Sequence, residues 1–211
     1  MASMGWSLAF LFLAAPLLAQ DKPAAAPTAS AAEDEKSLKK SCDKGAAADC
    51  HKLATMHRSG QGVPKDLGKA TGFFKKACDL RYAESCIEMA EIHRAPGNDK
   101  DMVKAVTFLQ RACDMESGEG CTRAGELFWA GKDVEKDLGK SSEFLKKGCA
   151  LGVGRACGIF ASMHRDGLVV VKDAVKAAEL YQKACEGGDG SSCTQLGIMY
   201  GAGEGVKKDP A

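Results

Sequence analysis

The residues best placed for chemistry are ten cysteines, which fall into five pairs. They are Cys42/Cys50, Cys78/Cys86, Cys113/Cys121, Cys149/Cys157 and Cys185/Cys193, each C-x7-C, with first cysteines 36, 35, 36 and 36 residues apart. A thiol can shuttle electrons, ligate a metal or close a disulfide. A dithiol redox motif needs C-x-x-C, and the sequence has none. Zinc favours C-x2-4-C knuckles with four ligands per ion; each unit here offers two thiols at wider spacing, so zinc is the weaker reading. Two cysteines eight apart on one continuous helix would stand about 12 Å apart, whereas a disulfide tolerates a Cα separation of about 7 Å at most. A local bridge therefore requires the chain to reverse between them. Asp43-Lys44-Gly45-Ala46, Ser117-Gly118-Glu119-Gly120 and Gly187-Gly188-Asp189-Gly190 allow such a turn; the second pair, with Tyr82-Ala83, has no glycine and reads as a weaker one. Closing each short loop contributes about 2–3 kcal/mol in the chain-entropy model, which is substantial beside a typical net stability of about 5–15 kcal/mol.

The compartment suggested by the N-terminus agrees with oxidised sulfur. Trp6 to Ala19 is uncharged and largely apolar. It is shorter than the roughly 20 residues that span a bilayer, and reads as a secretory signal (residues 1–19) cut near Ala19. The segment before it lacks Lys and Arg, and Leu17 is large for the position three before the cut, so an uncleaved anchor is the alternative. Residues 20–35 are rich in Ala and Pro, a tether without a core of its own. Residues 36–211 are enough for one domain. Lys+Arg of 29 against Asp+Glu of 28 gives a net charge of +1, which argues against nucleic acid as a partner. The expected location is secreted or periplasmic, with no stable membrane insertion once the signal is removed.

What must position the cysteines is a repeat. Three residues after each second cysteine stand Leu53, Met89, Ala124, Phe160 and Leu196; four after stand Ala54, Ala90, Gly125, Ala161 and Gly197; seven after stand His57, His93, Phe128, His164 and Tyr200. This is one face of an amphipathic helix of about 12 residues, helix A. A glycine-bearing loop follows. Then an aspartate recurs (Asp66, Asp101, Asp137, Asp173, Asp209), placed as the N-cap of a second helix, B, which runs to the next first cysteine. The buried stripe of helix B reads Leu67, Ala70, Phe74, Ala77 in one copy and Leu138, Ser141, Leu145, Gly148 in another. The single 35-residue spacing lies in a shorter A-to-B loop at Arg94 to Asp101, where a deletion is tolerated.

The pattern Leu196-Gly197-x-x-Tyr200-x-x-Gly203-x-Gly205-Val206-x-x-Asp209, with Gly62-Val63-x-x-Asp66-x-x-Lys69-Ala70 and Phe74-x-Lys76-Ala77-Cys78, resembles a Sel-one-like repeat (SLR). The C-x7-C staple resembles the cysteine-rich Hcp-type branch of that family. The resemblance covers the chain from about Ser37. It implies an all-α, right-handed α-solenoid of antiparallel helix pairs, related to tetratricopeptide arrays, with each disulfide joining a helix B to the following helix A. Three copies depart from the family's usual tyrosine by carrying histidine, and Ser141 replaces the helix-B alanine. On this reading the array opens on a helix B (Glu33 to Cys42) and holds five stapled B–A hairpins. The last helix A lacks a partner in the sequence, so an exposed apolar end, or a dimer through that C-terminal helix, is expected.

Some Hcp-type proteins carry a penicillin-binding or β-lactamase label. The resemblance therefore makes a β-lactam-binding or β-lactam-hydrolysing protein the alternative reading, and a structural envelope factor another. Serine β-lactamases need S-x-x-K, S-D-N and K-T-G. Ser37/Lys40 and Ser41/Lys44 match the first; the other two are absent, Lys69-Ala70-Thr71-Gly72 being the nearest miss. No catalytic residue is assigned. His57, His93 and His164 recur once per repeat, and neighbouring A helices stack about 10 Å apart, too far to share an ion bound at about 2 Å. They read as packing residues, and neither metal nor cofactor is assigned. His51 reads as exposed and unpartnered.

Positions one, five and eight after the second cysteine form a stripe expected to face solvent: His51/Thr55/Arg58, Ile87/Glu91/Arg94, Thr122/Glu126/Trp129, Gly158/Ser162/Arg165 and Thr194/Ile198/Gly201. Stacking aligns Arg58, Arg94, Trp129 and Arg165 as a ladder on the face that related superhelices make concave. With Glu91 and Glu126, these are the candidate ligand-binding residues, since Arg and Trp are prominent at binding hot spots. The expected ligand is a protein or peptide, with a peptidoglycan fragment as the other candidate.

Overall fold

A computed structural model describes residues 29–96, 101–168 and 170–208. The expected signal segment, most of the tether, the tip of the shortened loop and Asp209 lie outside these. The described residues form ten α-helices and no strand: α1 (Ala29–Asp43), α2 (Ala47–Ser59), α3 (Leu67–Asp79), α4 (Ala83–Arg94), α5 (Met102–Asp114), α6 (Gly118–Ala130), α7 (Leu138–Ala150), α8 (Gly154–Asp166), α9 (Ala174–Glu186) and α10 (Gly190–Ala202). Even-numbered helices are type A and odd-numbered type B. Each helix packs chiefly on its neighbours in sequence. The core is therefore a string of small clusters along a solenoid.

Local chemistry starts and stops each helix. The carboxylates of Asp66, Asp101, Asp137 and Asp173 each accept the amide of the lysine three residues on, at 2.8 to 3.0 Å. These are the N-caps expected from sequence. Helices α2, α6, α8 and α10 end on Gly60, Gly131, Gly167 and Gly203 in the left-handed region, where glycine carries no Cβ penalty. Helix α4 ends instead at Ala95, extended before Pro96. The shortened loop still joins the same two points. The Asp101 amide donates to the His93 carbonyl at 3.1 Å, as Asp66 does to His57 and Asp137 to Phe128.

All ten cysteines are bridged in the five expected pairs, Cys42–Cys50, Cys78–Cys86, Cys113–Cys121, Cys149–Cys157 and Cys185–Cys193, with Cα separations of 4.5 to 4.8 Å. Each bridge links a B helix to the next A helix. Packing is more extensive across the unstapled A-to-B pairs, so the disulfides reinforce the joints that have less of it. The residue that reverses the chain is always the third after the first cysteine: Gly45, Arg81, Glu116, Gly152 and Gly188 all have positive φ.

Two of these turns correct the sequence reading and a third adds to it. Before Cys86 the turn was expected to be weak for want of glycine; Arg81 makes it with φ 66° and the pair closes like the others. Before Cys121 the turn was expected at Gly118 and Gly120, which instead lie within α6, and Glu116 makes it with φ 62°. Before Cys157, where no turn segment was singled out, Gly152 reverses the chain with φ 86°. Glycine serves a different purpose inside α6: a Cβ on Gly120 would lie 2.6 Å from that of Ala112 on α5.

Helix α1 begins at Ala29, before the expected Glu33, so the last residues of the Ala/Pro-rich segment are helical. Alanine favours the helical state. Glu35 docks the helix, approaching His57 Nε2 at 3.3 Å.

Candidate functional site

The A helices place their eighth position beside the second position of the next A helix. Arg58 donates to Glu88 on α4 and lies over the Phe74 ring, 5.1 Å from its centroid. Arg165 donates to Gln195 on α10 at 2.7 Å and to Asp166 at 2.8 Å. Trp129 holds the same position in α6 and Ile159 the second position of α8; both pack on the C-terminal core cluster. Lys136 Nζ lies 5.9 Å from the Trp129 ring centroid. At the joint of α4 with α6 both positions are arginine, Arg94 and Arg123, and Glu91 relieves the repulsion. Its carboxylate accepts from each of them at 2.8 Å. Arg123 also donates to Glu119 at 2.5 Å, and Arg155 reaches Glu126 at 2.8 Å.

Arg94, Arg123 and Arg155 are thus matched by Glu91, Glu119 and Glu126 across α4, α6 and α8. Burial pushes the Glu126 carboxyl above the usual carboxylate range, with Arg155 pulling the other way. Burial disfavours charge on Arg123, but its hydrogen bonds to Glu119 and Glu91 outweigh that and hold its pKa above normal. Individually such part-exposed pairs contribute about 0.2–1 kcal/mol. Arg94, Arg123, Glu126, Leu127 and Ala130 help line a cleft of about 210 Å³. That is smaller than a typical small-molecule pocket and suits one side chain or a terminal group. A second depression of about 520 Å³ lies towards the N-terminal end, between α1 and α2, and its lining includes Lys52, Thr55, Met56 and Arg58.

The structure puts Arg58, Glu91, Arg94, Glu126, Trp129 and Arg165 on successive A helices. It does not leave the whole stripe in solvent. Position one turns into the joint: Thr122 and Gly158 are buried, and a Cβ on Gly158 would lie 2.3 Å from Ser192 Oγ. His51 is corrected likewise. It is half-buried, with Nδ1 2.8 Å from Ser85 Oγ and its ring against Phe74 and Tyr82, and burial lowers its pKa. The histidines seven after each second cysteine pack on rings, as expected. His57 stacks on Phe73 at 5.7 Å and His93 on Phe108 at 5.6 Å, while His164 meets Phe160 edge-on at 4.9 Å.

The cysteines stand apart from the ladder. Cys86, Cys121 and Cys157 are buried in the B–A joints, each Sγ resting 3.6 to 3.8 Å from the carbonyl oxygen of its bridging partner, Cys78, Cys113 and Cys149. The sulfur that looked best placed for chemistry therefore serves as core and staple, out of reach of a ligand on the A-helix face.

Sequence reasoning missed Glu88, Glu119, Arg123, Arg155 and Gln195. A signal was present: Arg58 and Glu88, and Arg165 and Gln195, are each 30 residues apart, the spacing that joins position eight to position two of the next copy. Of the serines weighed for β-lactam chemistry, Ser37 lies exposed on α1 beside exposed Lys40. The Ser41 hydroxyl is committed to Asp49, at the start of α2.

Five stretches, residues 47–82, 83–117, 118–153, 156–189 and 190–211, match the Sel1 repeat. The chain belongs to the Sel1 repeat family. The repeat frame runs from A helix to B helix, so each disulfide of this Sel1 repeat chain joins an A helix to the B helix before its repeat. The fold is similar to that of a protective antigen of uropathogenic Escherichia coli displaying an SLR fold (26% identity, TM-score 0.75, covering 82% of this chain and 38% of that one). It is also similar to a Sel1 repeat protein from Oxalobacter formigenes (25% identity, TM-score 0.72, covering 85% and 74%). Helicobacter pylori cysteine rich protein B is 33% identical with a TM-score of 0.50, covering 65% of this chain and 99% of that one; the five disulfides fit that cysteine-rich type. This chain thus spans well under half the length of the Escherichia coli antigen. No curated protein matches the chain. Sel1 repeat proteins are scaffolds that typically mediate protein–protein interaction. Disulfides persist in oxidising compartments, and no helix among the described residues is long and apolar enough to cross a membrane.

Proposed function

We propose that this Sel1 repeat chain is a secreted or periplasmic scaffold that holds a protein or peptide segment in extended form along its A helices. Arg58, Glu91, Arg94, Glu126, Trp129 and Arg165 are the contact residues. The observation that carries this reading is the balanced ladder: cations and carboxylates alternate across successive repeats and flank a cleft the size of one side chain. A peptide that supplies its own carboxylates and amides can exchange partners with these pairs without leaving a charge unpaired. The net charge of +1 and the matched pairs favour mixed-charge peptides over polyanions. Peptidoglycan fragments, which combine a peptide stem with sugar, are the second ligand class the same ladder would accept.

The test is selection of peptides from a random library on oxidised protein, run in parallel on the Arg94→Ala/Trp129→Ala variant and on soluble peptidoglycan fragments. The wild type should enrich a common peptide pattern that the variant loses. An unchanged selected set would remove the ladder from the binding site; binding of muropeptides alone would move the function to cell-wall recognition.

A further inference from the structure

Three arginines along the A helices give Nε to a carboxylate, and Arg94 does not. Arg165 donates from Nε and Nη2 to the two oxygens of Asp166, at 2.8 and 3.1 Å. This two-pronged grip is the geometry in which arginine holds a carboxylate best. Arg123 donates from Nε to Glu119 at 2.5 Å, and Arg155 Nε lies 2.8 Å from Glu126. Arg94 donates from Nη1 to Glu91 at 2.8 Å. Its Nε is buried and meets no acceptor among the described residues, which is destabilising for a charged donor. Arg165 is followed by the aspartate that serves it, whereas Arg94 is followed by Ala95.

Arg94 also lines the cleft of about 210 Å³ between α4 and α6, with Arg123 and Lys132 as the other cations. The carboxylates in that lining are committed, Glu126 to Arg155, and Asp133 is engaged as well. One oxygen of Glu91 serves both Arg94 and Arg123. What the cleft lacks is therefore an acceptor and not a donor. The Arg94 bond to Glu91 runs within its own helix, and Arg123 keeps Glu91 in place when Arg94 turns its Nε edge towards the cleft. Leu127 and Ala130 supply an apolar wall for the carbon atoms beside a carboxyl group. We propose that this cleft binds a carboxylate, gripped by the Nε edge of Arg94 and flanked by Arg123 and Lys132. The inference rests on the ladder reading and names the chemical group that the ladder's ligand carries. A chain terminus, an acidic side chain and a peptide stem all supply that group.

N-acetylglycine and N-acetylglycinamide, a small matched acid and amide, are the probes. They are titrated onto the oxidised full chain while the arginine Nε–H resonances are followed by NMR. The Arg94 signal is the one lost in Arg94→Lys, a variant that keeps the charge without the fork. It should shift saturably with the acid, at an affinity at least about tenfold above that for the amide. An unmoved Arg94 signal, equal shifts with acid and amide, or a shift shared equally by Arg58 and Arg165 would overturn the inference and leave the ladder to the peptide selection. A shift of Arg94 alone, with no peptide or muropeptide selected, would keep the carboxylate site and remove the extended-ligand reading. Capture from three pools reads the source: random octapeptides without Asp or Glu as free acids, amidated octapeptides containing Asp and Glu, and muropeptides. Whichever pool the wild type prefers over its fully amidated counterpart, Arg94→Lys should lose that preference; a preference retained in the variant would equally overturn the site.

Discussion

At the N-terminal end, α1 turns Glu33, Asp34, Lys36, Ser37, Lys39 and Lys40 to solvent, whereas α10 at the other end turns out Ile198 and Tyr200. Both are stapled to one neighbour, yet only α1 has a polar outer face of the kind found on capping repeats. The described array therefore has a direction. Its first described helix turns charge outward, and its last leaves Gly197 and Tyr200 uncovered at the positions where every earlier A helix receives a B helix, the receptacle that α6 fills with Leu145 and Phe144. A solenoid has no single core to fix its ends, so side-chain chemistry at each end decides whether the stack stops there or accepts another layer.

The largest test of this contrast compares the filled and the open receptacle. Leu145 is fully buried between α6 and α7, and Leu145→Ala should cost about 2–5 kcal/mol in denaturant unfolding. Leu196→Ala on the open face should cost well under half of that; equal costs would mean that α10 is covered after all. Next come the end staples. Removing Cys42–Cys50 or Cys185–Cys193 as paired serines should each cost about 2–3 kcal/mol. Hydrogen exchange should then show α10 losing protection more completely than α1, which keeps Glu35 on His57 and Asp43 on Lys76 at 2.7 Å. Matching losses would break the asymmetry.

The two glycines at position four sharpen it further. Gly125→Ala forces a Cβ to within 2.7 Å of Leu145 Cγ and should destabilise by about 1–3 kcal/mol. Gly197→Ala meets open space and should stabilise by up to about 1 kcal/mol through helix propensity alone. The smallest effect is on pH. Burial holds the His51 imidazole below its ordinary 6.5. On acidification through 6.5 the unfolded chain takes up that proton before the folded chain does, so stability should fall as pH drops below this value. His51→Gln should flatten the slope of melting temperature against pH in that window, and an unchanged slope would assign it to other groups.

Much of this architecture was legible in the residues. The cysteine pairs, the capping aspartates and the histidine slots all follow from local rules: a short loop closes only at a turn, an Asp side chain reaches only the amides beside it, and a helical period decides which side chains share a face. The same rules misplaced some features. The turn before Cys121 was read at Gly118 and Gly120, and the one before Cys86 as weak, because glycine is the usual bearer of positive φ; Glu116 and Arg81 adopt it instead. The stripe was read as wholly exposed because a single helix has one outer face, whereas stacking buries position one, as at Thr122, in the next joint.

The sequence by itself determined the helices, their caps and which sulfur meets which, because each depends on residues close along the chain. Only the tertiary structure decided that Arg94 and Arg123 share Glu91, that His51 is drawn into a joint, and that Gly197 faces empty space while Gly125 faces Leu145. These depend on how one repeat is rotated and offset against the next. Small residues at the joints, such as Gly120 against Ala112 and Gly158 against Ser192, set that offset by letting the helices approach closely, and no local pattern encodes it.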